Sequence, residues 1–280
     1  LGSMGKWKNI AKRRFYDLID YRDIDAILRR LPSKADAVFH MGANSSTTST
    51  DGDEILRDNL HASMFWWNWC TSTGTPLIYA SSAATYGDGS QNFNDDDNLE
   101  ALERLMPLNL YGWSKHQFDK WAVERSSEGK CPPQWTGMKF FNVYGPNEYH
   151  KGEMRSLVAK NTELIARGET IKLFKSHKDG YADGAQLRDF VYVKDCTAAM
   201  LWLLENSKSS GLFNMGSGKA RSFLDLMNAI GSALGKKVSV DFIDMPEIIR
   251  ANYQYFTESN SAKLNSLGAL QLAYSLEDGV

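Results

Sequence analysis

The 280-residue sequence has little cysteine and no long apolar run. Its cysteines, Cys70, Cys131 and Cys196, are odd in number and far apart, which argues against a disulfide framework or a zinc site and for a reducing compartment. The longest apolar run, residues 198–204, is far shorter than the roughly 20 residues that span a bilayer. No secretory signal pattern precedes it. We therefore expect a cytoplasmic protein with no metal and no membrane partner.

The charges show neither an excess of one sign nor clustering. The sequence has 32 basic and 34 acidic residues, a formal net charge of -2, and no basic stripe. Nucleic acid is therefore not an expected partner, whereas a small anionic ligand remains open. With 42% hydrophobic and 24% charged residues, the chain is typical of one large or two modest globular domains.

A glycine-rich phosphate loop is also missing. A parallel sheet that binds a dinucleotide normally opens with a strand, a Gly-x-x-Gly-x-x-Gly turn and a helix whose N-terminus holds the pyrophosphate. Gly2 and Gly5 stand at the very start, where no strand can precede them. We therefore expect that the first strand and its glycine loop are absent and that both ends of the chain are cut.

What the sequence does contain is an alternation of strands and helices. Apolar runs bounded by turn residues predict strands at 35–43, 76–80 and 137–144, and helices at 24–31, at 53–71 and around Tyr111. Beyond Pro146 the predicted order is helix 154–167, strand 171–174, strand 189–193, helix 196–205 and strand 211–215. This rhythm indicates an α/β fold, a Rossmann-type doubly wound parallel sheet with a smaller C-terminal substrate lobe. We assign residues 1–146 to an N-terminally truncated dinucleotide-binding domain, and 147–280 mainly to a substrate-binding lobe, with about 187–205 returning to the sheet.

Tyr111 and Lys115 are the strongest candidates for chemistry. Four residues apart, they share one face if the segment is helical, so that an ammonium can lie near a phenol. A free tyrosine titrates near pH ~10, and a neighbouring positive charge favours the phenolate. Ser82 follows the predicted strand 76–80, at a strand end where ligands bind in open α/β sheets, and its hydroxyl would complete a proton-handling trio. Tyr-x3-Lys alone is common on amphipathic helices, and the upstream serine run is what favours a catalytic role.

Four motifs in order carry a resemblance to a known family. They are SAATYG at 82–87, Tyr111 with Lys115, FNVYGP at 141–146 and RDFVYV at 188–193. Together they resemble the nucleotide-sugar epimerases and dehydratases among the extended short-chain dehydrogenase/reductases. HMGANSSTT at 40–48 and HKGEM at 150–154 are similar to the members that epimerise an ADP-heptose at C6'' for the inner core of lipopolysaccharide.

The resemblance implies oxidation, rotation and reduction at one carbon. Tyr111 as phenolate would take the hydroxyl proton while hydride passes from C6'' to bound NADP or NAD, and Lys115 would hold the ribose and lower the tyrosine pKa. Hydride then returns to the other face of the transient ketone. Lys151 stands where the family has a second proton donor, although a solvated loop lysine is the ordinary interpretation. His150 is expected to be satisfied locally.

The resemblance also implies cofactor and substrate contacts by position. Cofactor contacts are expected from Lys6, Met41, Gly42, Ala43, Asn44, Ser45, Asn59, Ala80, Ser81, Lys115, Val143 and Lys151. Lys6 would contact the adenosine phosphate, with Lys8, Lys12 and Arg13 as rivals. Substrate contacts are expected from Ser82, Asn142, Glu153, Lys160, Phe174, Lys175, Ser176, His177, Arg188 and Tyr253. The expected partners are an ADP-heptose as small-molecule substrate and further copies of the chain in a homo-oligomer.

Arg188 has two interpretations. Its planar guanidinium could bind a diphosphate through two parallel hydrogen bonds, or it could form an ordinary ion pair with Asp189 or another acidic residue. Two features depart from the family pattern. Glu153 stands where serine is common, and its carboxylate would repel a sugar diphosphate unless it points away or pairs with Lys160. The segment 175–186 is longer than usual.

Three functions therefore compete. The first is the ADP-heptose 6-epimerase reaction, and the second is that of a related nucleotide-sugar 4-epimerase. A 4,6-dehydratase is disfavoured because Ala83 and Ala84 stand where acidic residues usually follow the serine. The third is a truncated relative that binds without catalysis, and it is disfavoured by the joint presence of four residues, Ser82, Tyr111, Lys115 and Lys151.

Overall fold

The computed structural model describes residues 5–206, 209–250, 253–268 and 272–280. The strands are β1 Val38–His40, β2 Leu77–Ser82, β3 Trp135–Phe140, β4 Asn142–Tyr144, β5 Ile171–Phe174, β6 Leu187–Tyr192, β7 Gly211–Met215, β8 Ala220–Ser222 and β9 Val240–Ile243. The α-helices are α1 Ile24–Arg30, α2 Gly52–Ile55, α3 Ala62–Thr73, α4 Leu99–Glu103, α5 Leu110–Ser127, α6 Leu157–Ala166, α7 Val193–Asn206, α8 Phe223–Leu234, α9 Glu247–Arg250, α10 Ala262–Ser266 and α11 Leu276–Gly279. None of these helices is both long and apolar enough to cross a membrane.

A four-stranded sheet in the order β1-β2-β3-β7 forms the centre of the fold. All three of its strand pairs are parallel, and Ser82 is in register with Phe140. The carboxyl ends of β2 and β3 therefore finish level at one edge. This confirms the predicted α/β fold with a parallel sheet.

Helices cover both faces of this sheet. Successive residues of a strand point to opposite faces, and Tyr79 accordingly packs with Trp67 of α3 and Phe118 of α5. Its neighbour Ile78 packs on the other face with Leu203 of α7. The sheet is thus buried on both sides, as an all-parallel sheet requires.

The predicted strand 137–144 is wrong as a single element. It divides at Phe141, where β3 ends and β4 leaves to pair with β6 in a second sheet of order β4-β6-β8. The buried Phe141 still donates its N–H to the carbonyl of Met215 at 3.0 Å. The chain therefore bends between two sheets, and the pairing partner, which is distant in sequence, decides where.

The strand that returns to the main sheet is β7, at 211–215. The sequence placed the returning segment at about 187–205, but its strand, β6, pairs with β4 and β8 instead. Only the helix of that segment, α7, lies against the main sheet, where Cys196 and Leu203 pack with Met138. A third layer, made by α6, α8 and the β5-β9 pair, encloses its own apolar cluster around Ile171 and Leu226.

The predicted helix 53–71 is continuous but not uniform. A π-helical turn, Leu56–His61, separates α2 from α3. Such turns within α-helices are frequent at functional sites. The preceding strand is shorter than predicted, because β1 spans only Val38–His40 of the segment 35–43.

Candidate active site

A cavity of about 530 Å³ opens at the carboxyl ends of β2 and β3 and beside β4. Eight of the expected catalytic, cofactor-binding and substrate-binding residues line it, namely Ser45, Ala80, Ser81, Ser82, Tyr111, Asn142, Val143 and Lys151. They come from separate stretches of the chain. The cavity therefore brings three of the four expected catalytic side chains to one space, and the fourth, Lys115, lies just behind it.

Tyr111 is placed by the start of α5. Asn109 caps this helix by accepting a hydrogen bond from the N–H of Gly112 at 2.8 Å, so Tyr111 lies in the first turn. Gly112 lets α5 approach the serine turn, which is the 3₁₀ turn Ala83–Tyr86 that follows Ser82. A Cβ at position 112 would lie 2.7 Å from the carbonyl oxygen of Ala84. Tyr111 lines the cavity beside Ser82, and the Ser82 side chain lowers the pKa of its phenol.

Lys115 is 3% exposed and lies one helical turn beyond Tyr111. Its Nζ donates a hydrogen bond to the carbonyl oxygen of Ala80 at 2.7 Å. Burial lowers its pKa to about 8, and the charge of Asp119 opposes this by raising it. The ammonium is therefore held at the end of β2.

The electrostatics at Tyr111 differ from the expectation. Burial raises the pKa of its phenol, the hydrogen bond from Ser82 lowers it, and the charge of Asp119 raises it. The net direction is upward, so the expected depression by Lys115 is not found in the chain alone. The reason is that the buried Lys115 ammonium is directed to the Ala80 carbonyl, while the tyrosine loses its hydration.

Lys151 lies in the 3₁₀ turn Tyr149–Met154 and lines the same cavity. Its side chain is 47% exposed, and its Nζ lies 3.7 Å from a carboxylate oxygen of Glu148. Glu148 is itself buried and accepts hydrogen bonds from the N–H and the hydroxyl of Ser156, both at 2.8 Å. His150 meets the side chain of Asn9 at 3.3 Å.

The loop that follows β1 is held by Asn59 in the π-helical turn. The fully buried Asn59 accepts from the N–H of Asn44 at 2.8 Å, and donates to the carbonyl of Asn44 at 3.0 Å and to the hydroxyl of Ser114 at 2.9 Å. Its polar atoms are thus engaged with protein. Asn59 therefore holds the loop that follows β1, which we call the edge loop, and Ser45 of this loop lines the cavity.

Arg188 does not form the ion pair with Asp189 that the sequence allowed. The side chain of Asp189 accepts from the backbone N–H groups of Ser217, Gly218 and Ser259 instead. Arg188 is 8% exposed, and its guanidinium donates to the backbone carbonyls of Leu187 and Gln254.

Arg188 stacks between two aromatic rings. Its guanidinium carbon lies 5.5 Å from the ring centre of Phe223 and 5.1 Å from that of Tyr253. Burial lowers its pKa. Because Phe223 also lines the cavity, a buried cation without a carboxylate partner among the described residues flanks the site.

The remaining expected substrate residues gather near Arg188 or stand apart. Phe174 meets Tyr253 edge to face with ring centres 6.5 Å apart, and the backbone N–H of His177 donates to the Tyr255 hydroxyl at 3.0 Å. Lys175 pairs with Asp244 at 3.3 Å, and Ser176 bonds within its own loop. None of these side chains lines the cavity around Tyr111.

Glu153 and Lys160 form an ion pair of 3.0 Å, and neither is among the residues that line the cavity. The carboxylate side chain of Glu153 is 93% exposed, so it points to solvent. This is the arrangement under which a glutamate at this position would not repel a sugar diphosphate. Lys6 is likewise exposed, in the 3₁₀ turn Lys6–Asn9, and does not reach the cavity.

Sequence reasoning missed several residues of the site. Glu148 and Arg155 line the cavity from the loop around Lys151, and Phe223 separates it from Arg188. Asp119 and Lys139 lie behind it as a fully buried ion pair. Only Asp119 left a signal, because it follows Tyr111 and Lys115 at helical spacing.

A second cavity of about 530 Å³ lies between β7, α7 and α10. It is lined by Asp195, Ser217, Leu264 and neighbouring residues, none of which was expected to contact a ligand. The functional candidate is therefore the cavity that contains Tyr111.

The residues at the strand ends fit a nicotinamide dinucleotide. Lys115 presents a buried ammonium beside the cavity and forms no ion pair within the described part of the chain. Met41 is 39% exposed, and a side chain added at Gly42 would meet open space, so the edge loop leaves room for a ligand. No group of three or more His, Cys, Asp or Glu side chains among the described residues could hold a metal ion, and all three cysteines are free.

Comparison with known proteins shows the family to which the chain belongs. The sequence profile of the NAD dependent epimerase/dehydratase family matches residues 2–216, and the chain belongs to this family. Its relatives include the ADP-L-glycero-D-manno-heptose-6-epimerase of Fusobacterium nucleatum, which is 47% identical over 98% of this chain and 84% of the relative. The enzyme of the same name from Nitratidesulfovibrio vulgaris is also 47% identical, over 100% of this chain and 85% of the relative.

Solved structures give the same result. The crystal structure of Helicobacter pylori ADP-L-glycero-D-manno-heptose-6-epimerase superposes with a TM-score of 0.77 at 27% identity, covering 98% of this chain and 79% of that one. Thermus thermophilus UDP-glucose 4-epimerase in complex with NAD has a TM-score of 0.71 at 22% identity, covering 93% and 79%. At that identity the second structure shows the fold alone.

Proposed function

We propose that the protein epimerises ADP-D-glycero-D-manno-heptose at C6'' to ADP-L-glycero-D-manno-heptose, through a transient ketone. The observation that carries the proposal is that Ser82 and Tyr111 line one cavity together with Lys151, which comes from a different loop. Inversion at one carbon requires proton transfer at both of its faces, and two separate proton-handling groups supply this. The relatives at 47% identity, which carry the 6-epimerase name, support the substrate.

Tyr111 is the proposed base for the C6'' hydroxyl. Ser82 lines the same cavity, and its side chain lowers the pKa of Tyr111 against the effect of burial. The buried ammonium of Lys115 adds a donor for a ribose hydroxyl at the end of β2. A bound nicotinamide dinucleotide supplies the reversible acceptance of hydride that this chemistry needs.

Lys151 is the proposed proton donor on the opposite side. Its Nζ is 3.7 Å from Glu148, a separation that leaves the ammonium free to turn toward the cavity. Glu148 is anchored by Ser156, so the loop that carries Lys151 has a fixed base. This arrangement supports a 6-epimerase over a 4-epimerase, because Lys151 lies in the loop that resembles the heptose enzymes.

Arg188 is the proposed contact for the diphosphate. It is a buried cation that stacks on Phe223 and Tyr253 beside the cavity, and a diphosphate would supply the charge that it lacks. NADP is the proposed cofactor, with Lys6 near the adenosine phosphate. A homo-oligomer in the cytoplasm, with residues 1–146 binding the dinucleotide and 147–280 mainly the substrate, completes the proposal.

The test is turnover of ADP-D-glycero-D-manno-heptose by the purified protein with NADP or NAD, followed by proton NMR of the C6'' centre. We expect equilibration of the two epimers, and loss of equilibration in Lys151→Met. Lys237→Met, at an exposed lysine of the α8-β9 turn, is the matched control. Epimerisation that survives in Lys151→Met, or turnover of UDP-glucose in place of the heptose, would refute the proposal.

The choice of cofactor has its own test. Titration of NADP and NAD by nicotinamide fluorescence should give tighter binding of NADP, and Lys6→Gln should reduce that preference because an ammonium near the 2'-phosphate is lost. Lys8→Gln, Lys12→Gln and Arg13→Gln compare the neighbouring cations. A preference that is unchanged in Lys6→Gln but lost in one of the others would move the assignment to that residue.

A further inference from the structure

A buried ion pair lies at the same face of α5 as Tyr111 and Lys115. Asp119 follows them by one further helical step, and the three side chains share one face. Its Oδ2 lies 2.9 Å from the Nζ of Lys139 on β3, and both side chains are 0% exposed.

The carboxylate of Asp119 is fully engaged by the sheet. It accepts hydrogen bonds from the hydroxyl of Tyr79 at 3.0 Å and from that of Ser81 at 2.6 Å, both on β2. Gly137 leaves the space for the Tyr79 ring, because a Cβ there would lie 2.4 Å from its hydroxyl oxygen. The position of the negative charge is thus fixed by β2 and β3 together.

Lys139 is held as firmly on the other side of the pair. Its Nζ donates to the hydroxyl of Thr85 at 2.7 Å and lies 4.8 Å from the ring centre of Tyr86. Thr85 and Tyr86 belong to the turn that follows Ser82. The pair therefore connects the strand ends and the serine turn to the helix that carries the tyrosine.

A buried ion pair is a poor device for stability alone. The cost of desolvating two charges often exceeds their attraction, and apolar residues of the same volume commonly do as well. Charges in such surroundings act over longer distances than charges in water. The charge of Asp119 raises the pKa of both Lys115 and Tyr111, although Asp119 is not among the residues that line the cavity.

We infer that Asp119 and Lys139 are positioning residues, whose opposite charges, held between β2, β3 and the turn after Ser82, act on Lys115 and Tyr111 from the same face of α5. The consequence for turnover rests on the proposed function, whereas the effect on Lys115 does not. Other titratable groups face the same space. They are His40 on β1, Tyr79 on β2, His116 on α5 and Tyr86 in the serine turn.

Two single variants predict shifts of opposite sign. Asp119→Asn removes the negative charge that raises the pKa of Lys115, so this pKa should fall below its value of about 8. Lys139→Met leaves the negative charge of Asp119 uncompensated, so the pKa of Lys115 should rise. In each variant the pKa of Lys115 should change by about 1, as expected when one nearby charge is gained or lost in a protein interior.

The measurement is NMR titration of the protein with ¹³Cε-labelled lysine, with the Lys115 signal assigned by its loss in Lys115→Met. Lys139→Arg keeps the charge and should leave the pKa of Lys115 in place, and Asp119→Asn with Lys139→Met should bring it back toward the parent value. Circular dichroism checks that each variant is folded. Either single variant decides the question if the other does not fold, because each predicts its own sign.

Shifts of the same sign in both single variants, or a Lys115 pKa that moves in neither, would overturn the inference and leave the pair with a structural role. The acid limb of the pH profile of turnover gives the second readout. It should move down in Asp119→Asn and up in Lys139→Met, following the pKa of Tyr111. Opposed Lys115 shifts without any turnover of ADP-heptose would sustain the inference and contradict the proposed function instead.

Discussion

The Nζ of Lys115 lies 2.7 Å from the carbonyl oxygen of Ala80, so one hydrogen bond joins α5 to the end of β2. Ala80 lies two residues before Ser82, and Lys115 lies one turn beyond Tyr111. This bond therefore holds the helix that carries Tyr111 close to the strand end that carries Ser82. It also directs the ammonium to a carbonyl, which explains why burial governs the direction of the Tyr111 pKa.

Tyr111→Phe removes the proposed base but keeps the ring. We expect the rate of epimerisation to fall by about 10²- to 10⁴-fold, the usual contribution of a positioned acid or base. Binding of the dinucleotide should persist, because Lys115 and the edge loop are untouched. Tyr149→Phe, at a tyrosine that is 70% exposed, is the matched control. Turnover at the parent rate by the Tyr111→Phe variant would refute the role of Tyr111.

Arg188→Met tests the diphosphate contact. Loss of a charge-assisted contact should raise the KM for the nucleotide sugar by roughly 10- to 100-fold with a smaller change in kcat. Methionine retains contact with Phe223 and Tyr253, so folding should be preserved. Arg167→Met removes an exposed arginine paired with Glu169 and serves as the control. A fall in kcat with KM unchanged would argue against the diphosphate contact.

Gly112→Ala tests the close approach of α5 to the serine turn. The added Cβ would lie 2.7 Å from the Ala84 carbonyl oxygen, so the helix must shift. We expect unfolding in urea to require about 1–3 kcal/mol less free energy, with a loss of kcat, since overpacking has this cost. Gly52→Ala is the control, because a Cβ there meets nothing within 4 Å. Equal stability of the two variants would contradict the prediction.

The lowered pKa of His116 should make the stability of the protein depend on pH. It is buried, and burial lowers its pKa from 6.5 to about 4. Between these values the unfolded chain binds the proton and the folded chain does not, so the free energy of unfolding falls as pH falls through this window. His116→Gln should lose less stability between about pH 7 and pH 5, measured by urea unfolding with tryptophan fluorescence. His40, whose pKa is also lowered to about 4, contributes in the same direction in both proteins.

The control for this experiment is His61→Gln, at an exposed position of the π-helical turn. If parent and His116→Gln lose stability in parallel over the same pH range, burial of His116 does not contribute to acid sensitivity. If the free energy of unfolding fell more steeply with pH in His116→Gln than in the parent protein, the prediction would be contradicted.

The sequence by itself determined the alternation of strands and helices as far as β7, and with it the parallel sheet, because alternating apolar runs and turn residues are local signals. It also determined that Tyr111 and Lys115 share a helical face, since i and i+4 spacing is a property of the helix alone. The motifs further identified the family to which the profile assigns the chain.

Only the tertiary structure decided how these residues are surrounded. The bend at Phe141, the pairing of Asp119 with Lys139 and the stacking of Arg188 on Phe223 and Tyr253 all join segments that are distant in the chain. The direction of the Tyr111 pKa belongs with them. A pKa responds to burial and to charges in space, and neither can be counted from spacing along one helix.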